Sequence, residues 1–90
     1  MELYQLRYFA YAAKYENITM AAQELNVSQP SISKAIQSLE RELKTELLRK
    51  NGRSCVLTHD GYLLQERVVP LLEEIERLPL EFRNRQKKKM

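Results

Sequence analysis

The chain holds one cysteine, one histidine, two glycines, three prolines and no tryptophan among its 90 residues. A single cysteine, Cys55, rules out an internal disulfide framework and fits a reducing compartment. By the general habit of free cysteines it reads as a small apolar packing residue rather than a redox sensor. Gly52 and Gly61 are the only glycines, so no phosphate-cradling loop is present. His59 has no second histidine and no cysteine at ligand spacing, which argues against a metal site. Ser28, Ser31 and Ser33 lack a nearby base, and one histidine is a thin supply for acid–base work. The sequence is therefore expected to carry no catalysis, no cofactor and no metal. No apolar run approaches the roughly 20 residues of a membrane span, and the N-terminus has no signal-peptide pattern. A cytoplasmic chain is expected.

What is present is ordinary in amount and uneven in place. Hydrophobic residues make up 43% and charged residues 30%, as in a small globular domain. The net charge is +3, which suits an anionic partner without demanding one. Residues 1–30 carry two basic and three acidic side chains, residues 31–60 six and four, and residues 61–90 seven and five. The positive excess thus begins near position 31 and continues through Arg49, Lys50 and Arg53.

The segment ITMAAQELNVSQPSISKAIQSLEREL, residues 18–43, reads as two helices about a tight turn. Thr19 is expected to cap the first and Ser28 the second, with Pro30 in the second helix's first turn, where a missing N–H costs nothing. Asn26 suits the left-handed reversal between them. Ile32, Ala35, Ile36, Leu39 and Leu43 form an inward stripe at helical spacing. Pro30, Lys34, Gln37 and Arg41 lie opposite, flanked by Ser31, Ser33 and Ser38, and such side chains can meet base edges and phosphates. This is a helix-turn-helix, with residues 28–43 as the helix that reads DNA in the major groove. Ahead of it, residues 2–16 predict a helix with an aliphatic face (Leu3, Leu6, Phe9, Ala10, Ala13) and, almost opposite, a stripe of Tyr4, Tyr8, Tyr11 and Tyr15. The tyrosines are expected to pack a helix rather than stack on bases, since no basic residues accompany them.

Beyond residue 43, Asn51-Gly52 is a strong hairpin signal between Leu47-Leu48 and Cys55-Val56-Leu57. Its basic tip reads as a wing near the minor groove. Thr58 should cap a long helix, with Asp60 favourable in its first turn. Leu64, Val68, Leu71, Ile75, Leu78 and Phe82 follow at a heptad period of 3.5, a seam for pairing with a second copy. Tyr62, Leu63, Val69 and Leu72 lie outside that seam. Pro70 should bend this helix, and Pro79 should bend or end it. The expected division is a mainly helical winged helix-turn-helix over residues 1–58, a linker and dimerisation helix over 59–78, and a charged tail over 79–90.

The run LRYFAYAAKYENITMAAQELNVSQPSISKAIQSLERELKTELLRKNGRSCVLTHDGYLL closely resembles the N-terminal DNA-binding domain of LysR-type bacterial transcriptional regulators. Its most specific part is AAQELNVSQPSISKAIQSLERELKTELL. The resemblance implies a homodimer on a near-palindromic double-stranded DNA site, with linker helices paired antiparallel. It also implies a further two-lobed domain that would take a small-molecule effector. Carried over by position, it implies that Gln29, Ser33, Lys34 and Gln37 face bases or groove, that Thr19, Ser28 and Ser31 face phosphates, and that Arg53 acts from the wing. Lys44 stands where the family usually has glycine, implying a strained turn or a longer helix; Leu48 replaces a common phenylalanine, and Met20 an often basic residue. Two other readings are a helix-turn-helix module that pairs proteins without binding DNA, and the similar N-terminal domain of a molybdate-responsive regulator.

Overall fold

The computed structural model describes residues 1–52 and 54–88. Helix α1 (Leu3–Tyr15) starts from Glu2, whose N–H donates to Gln5 Oε1 at 3.0 Å. It ends at Glu16, a non-glycine residue in the left-handed region (φ 50°). Helix α2 (Ile18–Leu25) is capped by Asn17, whose side-chain oxygen accepts from Met20 N at 2.9 Å. This corrects the assignment of the cap to Thr19. Asparagine is at least as good an N-cap as threonine, and Asn17 already has the extended backbone a cap requires. Thr19 is the second residue of the helix, within its first turn. Asn26 makes the left-handed reversal (φ 56°), with Val27 N donating back to Ala22 O, as a helix C-terminus requires.

Helix α3 (Gln29–Leu43) begins at Ser28, whose hydroxyl accepts from Ser31 N at 3.2 Å, with Pro30 in the first turn as expected. Ile32, Ile36 and Leu39 are buried against Phe9, Ala12 and Ala13 of α1 and Ala21 and Ala22 of α2, and Ala35 is buried as well. The alanines let the three helices approach closely. Leu43, placed in the inward stripe from spacing, is 38% exposed and lines an open hollow with Leu63 and Leu64 of the last helix instead of entering the core. The helix is not lengthened at Lys44. It stops there, with Lys44 held at φ 56°. A lysine in this region carries roughly 1–2 kcal/mol of steric strain that glycine lacks, partly offset by glycine's greater freedom when unfolded. Lys44→Gly is therefore expected to stabilise the domain by about 1 kcal/mol, raising Tm by roughly 4–8 °C in a thermal melt. An unchanged or lower Tm would contradict that reading.

Glu40 organises the entry to the hairpin. Its Oε2 accepts from Leu47 N at 2.8 Å and Leu48 N at 3.4 Å, fixing the chain as it enters strand β1 (Leu48–Asn51). Strand β2 (Ser54–Leu57) pairs antiparallel with β1, Asn51 opposite Ser54. Asn51 therefore belongs to the strand, and the loop begins at Gly52, one position later than the Asn51-Gly52 turn expected. Gly52, at φ 67°, supplies the positive angle such a loop needs. The hairpin is tied to the α1–α2 turn by Cys55 N donating to Glu16 O at 3.0 Å and by a bridge between Asn17 and Ser54. Cys55 is buried as an apolar packing residue, its Sγ against Ala12 O. Burial, then the Glu16 charge, pushes its thiol pKa up and keeps it protonated.

Helix α4 (His59–Lys88) starts at Thr58, whose Oγ1 accepts from Gly61 N at 3.0 Å. The same hydroxyl donates to Glu46 O at 2.6 Å, and Thr58 N donates to Leu47 O at 3.0 Å. Thr45 donates to the Asp60 carboxylate. Pro70 and Pro79 both lie within α4, so Pro79 does not end it. Val68 and Leu72 are buried against Ala10 of α1, with Leu6 and Leu64 beside them. Val68 and Leu64, expected in a seam between two copies, thus pack on their own domain, together with Leu72, which spacing had put outside it. After Leu72 the helix leaves the body, and the chain measures 54 × 25 × 17 Å.

Candidate nucleic-acid interface

Because α3 buries Ile32, Ala35, Ile36 and Leu39 on its inner side, its opposite side has no cover. Gln29, Pro30, Ser31, Lys34, Gln37 and Arg41 are all exposed, and Ser33 is half-buried on one flank. Among the described residues Lys34 and Arg41 have no acidic partner; Arg41 reaches only Ser38 Oγ, at 3.5 Å. Such cations are available to phosphates at no cost in broken pairs.

Three of the shallow hollows along this helix sort the expected residues by neighbour, and a fourth holds Gln37 with Arg41 near its C-terminal end. Thr19, Ser28 and Gln29 share one with Gln23 and Asn26 of the helix-turn-helix. Ser33 and Gln37 share a second, of about 80 Å³, with Lys50 of β1, which leads from the helix to the wing. Ser31 and Lys34 share a third, of about 260 Å³, with Ser38 and with Tyr4 and Tyr8 of α1. Ser28 and Ser31 hydroxyls lie 2.7 Å apart, so the cap and its neighbour form one small polar cluster. Arg53, expected at the wing tip, lies outside the described residues. Arg49, grouped with it from sequence, is paired with Glu46 at 2.9 Å. Sequence reasoning missed this partner and missed Glu40; a carboxylate three residues before Arg49 was the available signal for the first.

The tyrosine stripe divides. Tyr8 and Tyr11 pack partly on the domain's own core, while Tyr4 remains 51% exposed with its ring edge-on to Tyr8 at 5.4 Å. On α4 the exposed apolar residues are Tyr62, Leu63, Val69, Leu71, Ile75, Leu78, Leu80 and Phe82. Of the six expected seam positions, Leu71, Ile75, Leu78 and Phe82 therefore remain open. Among the described residues no helix is long and apolar enough to cross a membrane.

Three packed helices, an uncovered polar face on the third, a hairpin beside it and a long helix leaving the body define a winged helix-turn-helix protein. Residues 3–62 match the sequence model of the bacterial regulatory helix-turn-helix proteins of the lysR family, and the chain belongs to that family. It is 41% identical over 78 residues to the probable cat1 operon transcriptional activator of Acinetobacter lwoffii, an alignment covering 87% of this chain and 26% of that protein. The chain thus spans about a quarter of the length of this curated relative. Two solved structures superpose closely. The CbnR DNA-binding domain in complex with DNA gives a TM-score of 0.83 at 36% identity, covering 96% of this chain and 99% of that one. The BenM DNA-binding domain with catB site 1 DNA gives 0.85 at 32% identity, covering 93% of each.

Proposed function

We propose that this chain is the DNA-binding part of a transcriptional regulator, binding double-stranded DNA sequence-specifically with α3 in the major groove and the wing near the minor groove. The observation that carries this is the uncovered face of α3, where Pro30, Lys34, Gln37 and Arg41 stand exposed beside the hairpin. The DNA complexes of the CbnR and BenM domains support it. Gln29, Ser33, Lys34 and Gln37 read bases or groove; Thr19, Ser28 and Ser31 meet phosphates; Pro30 shapes the leading edge of the helix. Residues 1–58 form the DNA-binding body, 59–78 the linker helix, and 79–90 a charged lead to a further domain that holds any small-molecule effector. The protein works as a cytoplasmic homodimer on a near-palindrome and is not an enzyme. Two copies are needed because one helix and one wing touch too few base pairs to select a site in a genome.

The test is a binding titration over a range of salt. A domain that neutralises several phosphates loses affinity steeply as salt rises, whereas a protein-pairing module shows no such dependence. Lys34→Ala is expected to weaken binding to a preferred site by about 1–3 kcal/mol and to change sequence preference where it reaches a base. Arg53→Ala should weaken binding evenly across sequences and lower the salt slope by about 1. Wild-type affinity in both variants would place the interface elsewhere.

A further inference from the structure

The flanks of α3 are not equivalent, and only one of them leads to the wing. Ser33 and Gln37 open toward Lys50 of β1, and Thr19 of α2 adjoins the start of the same helix. Ser31 and Ser38 open the other way, onto Tyr4 and Tyr8, with Lys34 between the two directions. A helix lying in the major groove has a phosphate backbone on each side of it. In the proposed complex the wing-side backbone lies toward α2 and the hairpin, whose Ile18 and Lys50 share a hollow with Ser33 and Gln37. The opposite backbone faces the hollow between α3 and α1.

Resting on the proposed function, we infer that Tyr4, with Tyr8 and Ser38, completes a phosphate seat on the backbone away from the wing. The hollow, about 260 Å³, is lined by two phenols, two serine hydroxyls and one ammonium. That set offers several neutral donors and one cation to an anion, and no carboxylate lines it. Tyr8 is half-buried against the core, and the edge-on contact at 5.4 Å and 72° braces the Tyr4 ring over it. The Tyr4 ring thus rests against a partly buried neighbour. Stacking on a base is disfavoured here, since duplex bases are already stacked and the pair of rings meets edge to face.

A neutral donor has a signature that a lysine lacks: it strengthens phosphate contact without releasing an additional counterion. Tyr4→Phe, which removes one oxygen and keeps the ring, should weaken binding roughly 2–12-fold. The loss should be equal on a preferred duplex and on an unrelated one, with the salt slope unchanged. Ser38→Ala should do the same more weakly, and both variants should melt with the wild type. Ethylation interference should mark phosphates on both backbones for the wild type and lose one position, on the backbone away from the wing, for Tyr4→Phe. Wild-type affinity in both variants, or a lowered salt slope for Tyr4→Phe, would overturn the seat while leaving DNA binding intact. A wild-type domain that binds no duplex at all would instead remove the proposed function on which the seat rests.

Discussion

Gly61→Ala is expected to cost the domain about 3 kcal/mol, at the upper end of what overpacking a core usually does. A Cβ at position 61 would stand 2.2 Å from Leu47 O and 2.9 Å from Leu57 Cδ2. The first obstacle is backbone, and it is already fixed by the hydrogen bond from Thr58 N. Leu47 is itself fully buried and its N–H is held by Glu40, so the carbonyl cannot step aside without disturbing the core. The methyl must push the first turn of α4 away from the sheet. For a domain of this size a 3 kcal/mol loss lowers Tm by roughly 12–24 °C. Gly52→Ala is the control: its Cβ meets nothing within 4 Å, so only the cost of φ 67° remains, roughly 1–2 kcal/mol. Differential scanning calorimetry of the two variants decides the matter. A smaller shift at position 61 than at position 52 would mean that the joint between α4 and the sheet is loose.

Replacing both Leu71 and Ile75 with aspartate is expected to leave folded monomers that bind paired half-sites poorly. The two side chains are 56% and 39% exposed, and Leu78 and Phe82 extend the same open strip. Burying each aliphatic group contributes about 1.5–3 kcal/mol, so four per chain can sustain a pair, although association itself costs several kcal/mol. Two carboxylates in that strip remove the apolar gain and bring like charges together across the pair. The fold should survive, because Val68 and Leu72, not these residues, hold α4 to α1. Sedimentation velocity, with circular dichroism as the check on folding, separates the outcomes. A wild-type domain that stays monomeric at high concentration, free and on DNA, would refute pairing through this strip.

Much of the architecture could be read from the residues because local chemistry and global packing agreed. Ser28 with Pro30, Asn26, and Thr58 with Asp60 each carry a mechanism that acts within three or four residues, and each landed where that mechanism puts it. The misplacements share another origin. At α2 two good caps, Asn17 and Thr19, stood close together, and the segment ahead of them is held by the hairpin, which binds Glu16 and Asn17 from 39 and 37 residues away. At α4 a 3.5-residue period made Val68 equivalent to Leu71, and only the position of Ala10 on α1 divides them. Glu40 could not be recognised as a cap for a strand seven residues later without knowing that α3 ends at a strained lysine. Gly61 did leave a trace: a glycine in the first turn of a well-capped helix gives up about 1 kcal/mol against alanine and so asks for a packing reason. In the site, residue types and the exposed face were legible, but the tyrosines' nearness to Ser31 and Lys34 depends on how α1 crosses α3.

The way α4 leaves the body has a consequence for the spacing of DNA sites. Its last buried anchor is Leu72, and 16 further residues to Lys88 form an arm about 24 Å long. Val68 and Leu72 seat the root of that arm against the methyl of Ala10. A change of roughly 5° there carries the far end about 2 Å sideways, and in a symmetric pair the two displacements sum to about 4 Å. One base pair advances the duplex by roughly 3.4 Å. In a pair joined through α4, a single small side chain on α1 that faces away from the recognition helix would act as the ruler for the gap between half-sites. A larger residue at position 10 would reset that gap by about one base pair while leaving the sequence read in each half unchanged.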